Sequence, residues 1–143
     1  MFAELSVMFG LLTNALNALL LLLVAAAPLL PSPYKPSRSV AFWLRSGLGI
    51  GIGVVLAESG KHFQVWPGRD SFPSGHETLA LAAGTCLVVR NPRWLAVALP
   101  LAAVQAWALV AGHFHRPLDI AGALVTGVLP PLACHFYKQR PAG

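Results

Sequence analysis

The chain has 143 residues, enough for one domain, and it is 56% hydrophobic but only 10% charged, with a mean hydropathy of +0.65. A soluble domain carries about 25% charged residues, so this composition points to an integral membrane protein. The formal charge of +5 does not indicate a nucleic-acid partner, because the basic residues are scattered between apolar runs and build no continuous basic face.

The first apolar run extends from about Ser6 to Leu30, long enough to cross roughly 30 Å of hydrocarbon. It lacks a basic start and exceeds the length of a leader's apolar core, so it is expected to remain as a helix. Asn14 and Asn17, three apart on one helical face, are expected to face other helices. A Pro-rich turn over residues 32–38 precedes the second run, about Val40 to Ala57. Gly47/Gly51 and Gly49/Gly53 have small-xxx-small spacing there, which lets helix backbones approach closely. A dinucleotide-binding turn is excluded, since no strand precedes these glycines and no suitably placed acid follows.

A polar island, residues 61–76, then interrupts the apolar pattern with Lys61, His62, Arg69, Asp70 and His76. The third run, about Glu77 to Val89, is the shortest, and it spans only if Ser74 to His76 and Arg90 count toward its length. Ser74-Gly75-His76-Glu77 fits a capping box with Ser74 as N-cap. The fourth run covers about Trp94 to Ala111 and leads into a second island, residues 112–119, with His113, His115, Arg116 and Asp119. Pro117 suits the first turn of a fifth helix that continues to about Tyr137. Cys86 and Cys134 lie inside apolar runs without metal-ligand spacing and are expected to be packed thiols. His62 and His113 are expected to be interfacial histidines without a chemical role, and Glu58, Gln64 and Trp66 to be ordinary interfacial residues, with shaping of substrate entry as their alternative.

Five spans put both islands on one side of the bilayer. Lys35, Arg38, Arg45, Arg90, Arg93, Lys138 and Arg140, seven of the ten basic residues, then fall on the opposite side. All five acids, Glu4, Glu58, Asp70, Glu77 and Asp119, fall on the island side. The basic side is expected to be cytoplasmic, so the islands face outward.

Ionisable groups at membrane depth are costly, and their clustering indicates a site. The backbone N–H groups after Ser74 open an anion site at a helix N-terminus. Lys61 and Arg69 can neutralise phosphate oxygens, and His76 can titrate near neutral pH as a proton donor must. His115 and Asp119, four apart across a helix start, let the carboxylate hold one ring nitrogen and leave the other free as a nucleophile. An anion cradle, an acid and an oriented nucleophile together suit phosphoryl transfer.

Pro73-Ser74-Gly75-His76 and His115-x-x-x-Asp119-Ile-Ala-Gly122 resemble the second and third signatures of the type 2 phosphatidic acid phosphatase (PAP2) superfamily, and Lys61 with Arg69 resembles the first. The resemblance implies an all-α integral membrane bundle of about five transmembrane helices with a PAP2-like core, residues 1–143 forming one domain. It also implies a lipid phosphatase needing neither metal nor cofactor, whose partners are the bilayer and a membrane lipid phosphate. By that resemblance His115 attacks phosphorus, Asp119 orients it, His76 protonates the leaving oxygen, and Lys61, Arg69, Ser74 and Gly75 hold the phosphate. The implied substrates are phosphatidic acid, phosphatidylglycerophosphate, undecaprenyl mono- or diphosphate, or a lipid A phosphate, handled at the outer face of a bacterial inner membrane. The chain departs from the family in two places. Seven residues, 62–68, separate Lys61 from Arg69, one more than usual, and Asp70 stands where Pro usually follows. Leu109 occupies the position of the third signature's usual Arg, so a phosphate-clamping cation is missing, with Arg116 or His113 as its replacement. A lipid-phosphate transferase, or a binder without catalysis, is the competing expectation.

Overall fold

A computed structural model of the protein describes residues 2–30, 39–66 and 70–137. The turn at 32–38, Lys138, Arg140 and Arg69 therefore lie outside the described residues. Five α-helices follow one another: α1 (Phe2–Ala26), α2 (Ser39–His62), α3 (Gly75–Arg90), α4 (Leu95–Ala111) and α5 (Pro117–Phe136), with single 3-10 turns at Ala27–Leu29 and Pro92–Trp94. No strand occurs among the described residues. The protein is an all-α bundle, and α1, α2, α4 and α5 lie in segments long and apolar enough to cross a membrane.

The short helix α3 is the centre of the bundle. Its 16 residues rise only about 24 Å, less than the roughly 30 Å of hydrocarbon. It packs against each of the other four helices, so its surroundings are protein. Small residues make this possible: Ala80, Ala82, Ala83 and Gly84 are buried and let its neighbours approach closely. Its inner end joins Leu20 and Val24 of α1, Ala27 and Phe42 in a core with Ala83, Cys86 and Leu87. Cys86 is buried and Cys134 half-buried, both free thiols, as packed cysteines should be.

The α2–α5 contact explains the glycine pattern. A Cβ on Gly49 would come within 2.6 Å of the Pro131 backbone, and one on Gly53 would strike the Thr126 carbonyl. Gly47 and Gly51 would meet nothing within 4 Å. Only one of the two small-xxx-small pairs therefore faces a helix. At the end away from the islands, Ser46 Oγ and His135 Nε2 lie 3.2 Å apart and tie α2 to α5 again. Two helix boundaries differ from the sequence reading. The first helix begins at Phe2, and α2 runs on to His62, so that Lys61 sits in its last turn rather than in a loop. Nothing between Ala57 and His62 breaks a helix except one tolerated glycine, and the chain reverses only after it, where Gln64 adopts φ 47°.

Candidate active site

The two polar islands join through the backbone and through one carboxylate. Ser74, fully buried, caps α3 by accepting the Glu77 N–H at 3.3 Å. The reciprocal half of the expected capping box does not form. The Ser74 N–H donates instead to the Asp119 carbonyl at 3.0 Å, and the Glu77 carboxyl stays buried with Oε2 lacking a hydrogen-bond partner. The Ser71 hydroxyl donates to Asp119 Oδ2 at 2.6 Å, the second tie between the islands. Gly122 is where the first island lies on α5: a Cβ there would strike the Phe72 ring and come within 3.1 Å of Pro73 Cβ.

His115 is delivered by the link between α4 and α5. The Leu109 carbonyl accepts both the Phe114 and the His115 N–H, at 3.0 and 3.2 Å, and His113 takes the left-handed conformation, φ 59°, that this tight reversal needs. The next turn is α5 itself, with Pro117 in its first turn as expected. Asp119 then reaches back, its Oδ2 accepting the Arg116 N–H at 2.9 Å. The same oxygen lies 3.5 Å from His115 Nδ1. That separation is an electrostatic contact and too long for a good hydrogen bond, and Nδ1 has no hydrogen-bond partner among the described residues. Substrate-free sites often hold such pairs loosely. Burial pushes the His115 pKa below that of ordinary imidazole; Asp119 opposes this, while Lys61 and His76 add to it. The ring is therefore neutral at neutral pH, with Nε2 turned away from the carboxylate.

His76 and His115 line the same cavity, of about 370 Å³, together with Gly10, Thr13 and Asn14 of α1, Leu109 and Phe114. Lys61 joins them from α2. Its Nζ donates to Glu58 Oε1 at 2.7 Å, and the pair lies against Gly75, whose Cβ would strike the Glu58 carboxylate and come within 3.4 Å of Lys61 Nζ. Gly75 is thus the opening of the α3 N-terminus, with a cation and a carboxylate already beside it. Arg116 sits differently. Its exposed side chain lines a second cavity, of about 320 Å³, with Ser71, His113, Phe114 and His115. His115 borders both spaces.

The structure thus gathers His76, His115, Asp119, Ser74, Gly75 and Lys61 at one end of the bundle, with Arg116 at its edge. Sequence reasoning missed four contributors. Ser71 holds Asp119, Gln105 Nε2 donates to the His76 carbonyl at 3.3 Å, Glu58 pairs with Lys61, and Asn14 Oδ1 lies 3.3 Å from His76 Nε2. Asn14 and Gln105 could be flagged as polar residues in otherwise apolar helices; Ser71 and Glu58 carried no such signal. Trp66 is more than an interfacial residue, since its ring packs on Phe72 at 4.9 Å between centroids and covers Gly60.

Paired imidazoles, one backed by a carboxylate, thus lie at a helix N-terminus among helices long and apolar enough to cross a membrane. The model of the PAP2 superfamily matches residues 53–141, more than half of the chain, and the chain belongs to that superfamily. Members of the superfamily are phosphatases, which supports phosphatase activity on phosphate esters for this chain. Comparison with curated proteins and with solved structures finds no significant match.

Proposed function

We propose that the protein removes phosphate from a membrane lipid through a covalent phosphohistidine. The observation that carries this reading is the single cavity faced by both His76 and His115, with Asp119 behind His115. In the first step the free Nε2 of His115 bonds to phosphorus as the P–O bond to the lipid breaks. His76, as imidazolium, gives its proton to the departing lipid oxygen. Asp119 holds Nδ1 and balances the positive charge that grows on the His115 ring. In the second step His76 takes a proton from water, whose oxygen displaces Nε2 and yields inorganic phosphate. Lys61, Arg69, the N–H groups following Ser74 and Gly75, and Arg116 at the edge hold the equatorial oxygens.

The scatter of charge supports an orientation with this end of the bundle outside and the cytoplasm at the end of Arg45, Arg90 and Arg93. In a bacterial inner membrane that places the chemistry at the outer leaflet. Phosphatidic acid, phosphatidylglycerophosphate, undecaprenyl mono- or diphosphate and lipid A phosphates all present the required group on a bilayer anchor. The test is phosphate release from this panel by purified protein in detergent without added metal, against His115→Ala. Release by the native chain, lost in the variant and accompanied by acid-labile, base-stable label on the protein, supports the reading. Equal release by both proteins overturns it. Movement of the phosphate to an acceptor lipid in place of water identifies a transferase.

A further inference from the structure

We infer that Asn14 is a positioning residue for the proton donor: its amide oxygen holds one N–H of His76 so that the other is presented to the departing oxygen. The inference rests on the reading of His76 as the acid, and it extends the site to α1, which lies outside the matched family region.

The geometry begins with a polar side chain in an apolar helix: Asn14 lies in the segment Glu4–Leu29, of mean hydropathy 2.2, exposed on the bundle where that helix borders the cavity. Its Oδ1 lies 3.3 Å from His76 Nε2, across 62 residues of sequence, and both residues line the cavity that His115 enters. The neighbouring Thr13 satisfies itself locally, its hydroxyl donating to the Gly10 carbonyl at 3.0 Å. On the other side Gln105 of α4 holds the His76 carbonyl. Backbone and ring of His76 are thus gripped from two helices.

The chemical class of each partner separates the two imidazoles. A histidine that donates a proton starts as imidazolium with two N–H groups, one of which must be held while the other departs. An acceptor oxygen suits that task, and a neutral amide oxygen does so without binding the proton as tightly as a carboxylate would. His115 has the opposite arrangement, a carboxylate at its Nδ1, which favours a ring that ends the first step positively charged. One cavity therefore contains two histidines whose backing groups differ by a full charge. The amide orients one ring without adding a charge to it, and the carboxylate supports the other as nucleophile.

Leaving-group dependence tests this directly. The probes are phosphatidic acid, whose alkoxide departs only with a proton, and p-nitrophenyl phosphate, whose phenolate departs without one. Asn14→Ala and Asn14→Leu, the second filling the same space in an apolar helix, are expected to lower kcat on phosphatidic acid by about tenfold or more. On p-nitrophenyl phosphate the loss should stay below about threefold, and His76→Ala should show the same selectivity more strongly. Equal losses on both probes, or none on phosphatidic acid, overturn the role given to Asn14. Failure of the underlying reading looks different: His76→Ala itself would then lose no more on phosphatidic acid than on p-nitrophenyl phosphate.

Discussion

The contact between Asp119 and the first polar island makes a graded prediction about turnover. Asp119 Oδ2 accepts from Ser71 Oγ at 2.6 Å and from the Arg116 N–H at 2.9 Å, and it stands 3.5 Å from His115 Nδ1. Ser71→Ala removes one donor to a charged oxygen, an interaction of about 1.5–3 kcal/mol. Part of that reaches the rate, because the Arg116 N–H still anchors the carboxylate; the expected fall in kcat is roughly three- to tenfold. Asp119→Asn removes the charge itself. Unit charges 3.5 Å apart attract by about 5 kcal/mol at an effective dielectric constant near 20. The two donors already draw off some of that negative charge, so about half, some 2–3 kcal/mol, is available to the ring as it becomes cationic, on the order of a hundredfold in kcat. The assay is steady-state phosphate release from phosphatidic acid in mixed micelles, with thermal unfolding of each variant to establish that the bundle is intact. Asp119→Asn within threefold of the native rate, or a larger loss from Ser71→Ala than from Asp119→Asn, would refute the reasoning.

Four further outcomes follow from particular contacts. Glu58→Gln should lower KM and the inhibition constant of vanadate about threefold with kcat unchanged, because Lys61 then faces the α3 N-terminus without a competing carboxylate; the effect is small because Glu58 is largely exposed. The acid limb of kcat/KM should have its midpoint below about 6.5, since burial lowers the His115 pKa and the neutral nucleophile persists as pH falls; a midpoint above 7 counts against it. Gly53→Leu should destabilise the protein by about 1–3 kcal/mol in detergent melts, as its side chain meets the Thr126 carbonyl, whereas Gly51→Leu, in open space, should leave the melting temperature nearly unchanged. Leu109→Arg should tighten vanadate binding by about tenfold or more, a gain that no change in kcat on p-nitrophenyl phosphate need accompany.

How much of this was legible depends on the range over which each residue acts. The helix ends were readable because Ser74, Pro117 and the runs between them obey local rules of capping and hydropathy. The meeting of the islands was readable too, since an odd number of helices between them would have sent them to opposite ends. Rotation about each helix axis was not. The sequence of α2 is apolar nearly all round, so nothing local says that Gly49 and Gly53, rather than Gly47 and Gly51, face Pro131 and Thr126. The same uncertainty hid Asn14, which is exposed and whose contact is a ring on α3. Glu58 was hidden by the end of α2, because only a helix continuing through His62 turns it and Lys61, three residues apart, to one face and sets both against Gly75.

The replacement of the family's arginine by Leu109 looks like damage when only side chains are considered, yet the position has two functions that separate cleanly. Its carbonyl receives the N–H groups of Phe114 and His115 and so fixes where the His115 ring emerges, a task indifferent to the side chain. Its side chain, 2% exposed, lines the cavity that both histidines border. An apolar side chain there leaves the cavity one cation poorer, while burial of the His115 ring itself keeps that ring neutral. An arginine in the same place would add its charge to those of Lys61 and His76. The chain thus gives up some electrostatic grip on an anion, together with a cation that would lower the His115 pKa further, and the amide of Asn14 supplies from α1 a polar contact at the same cavity.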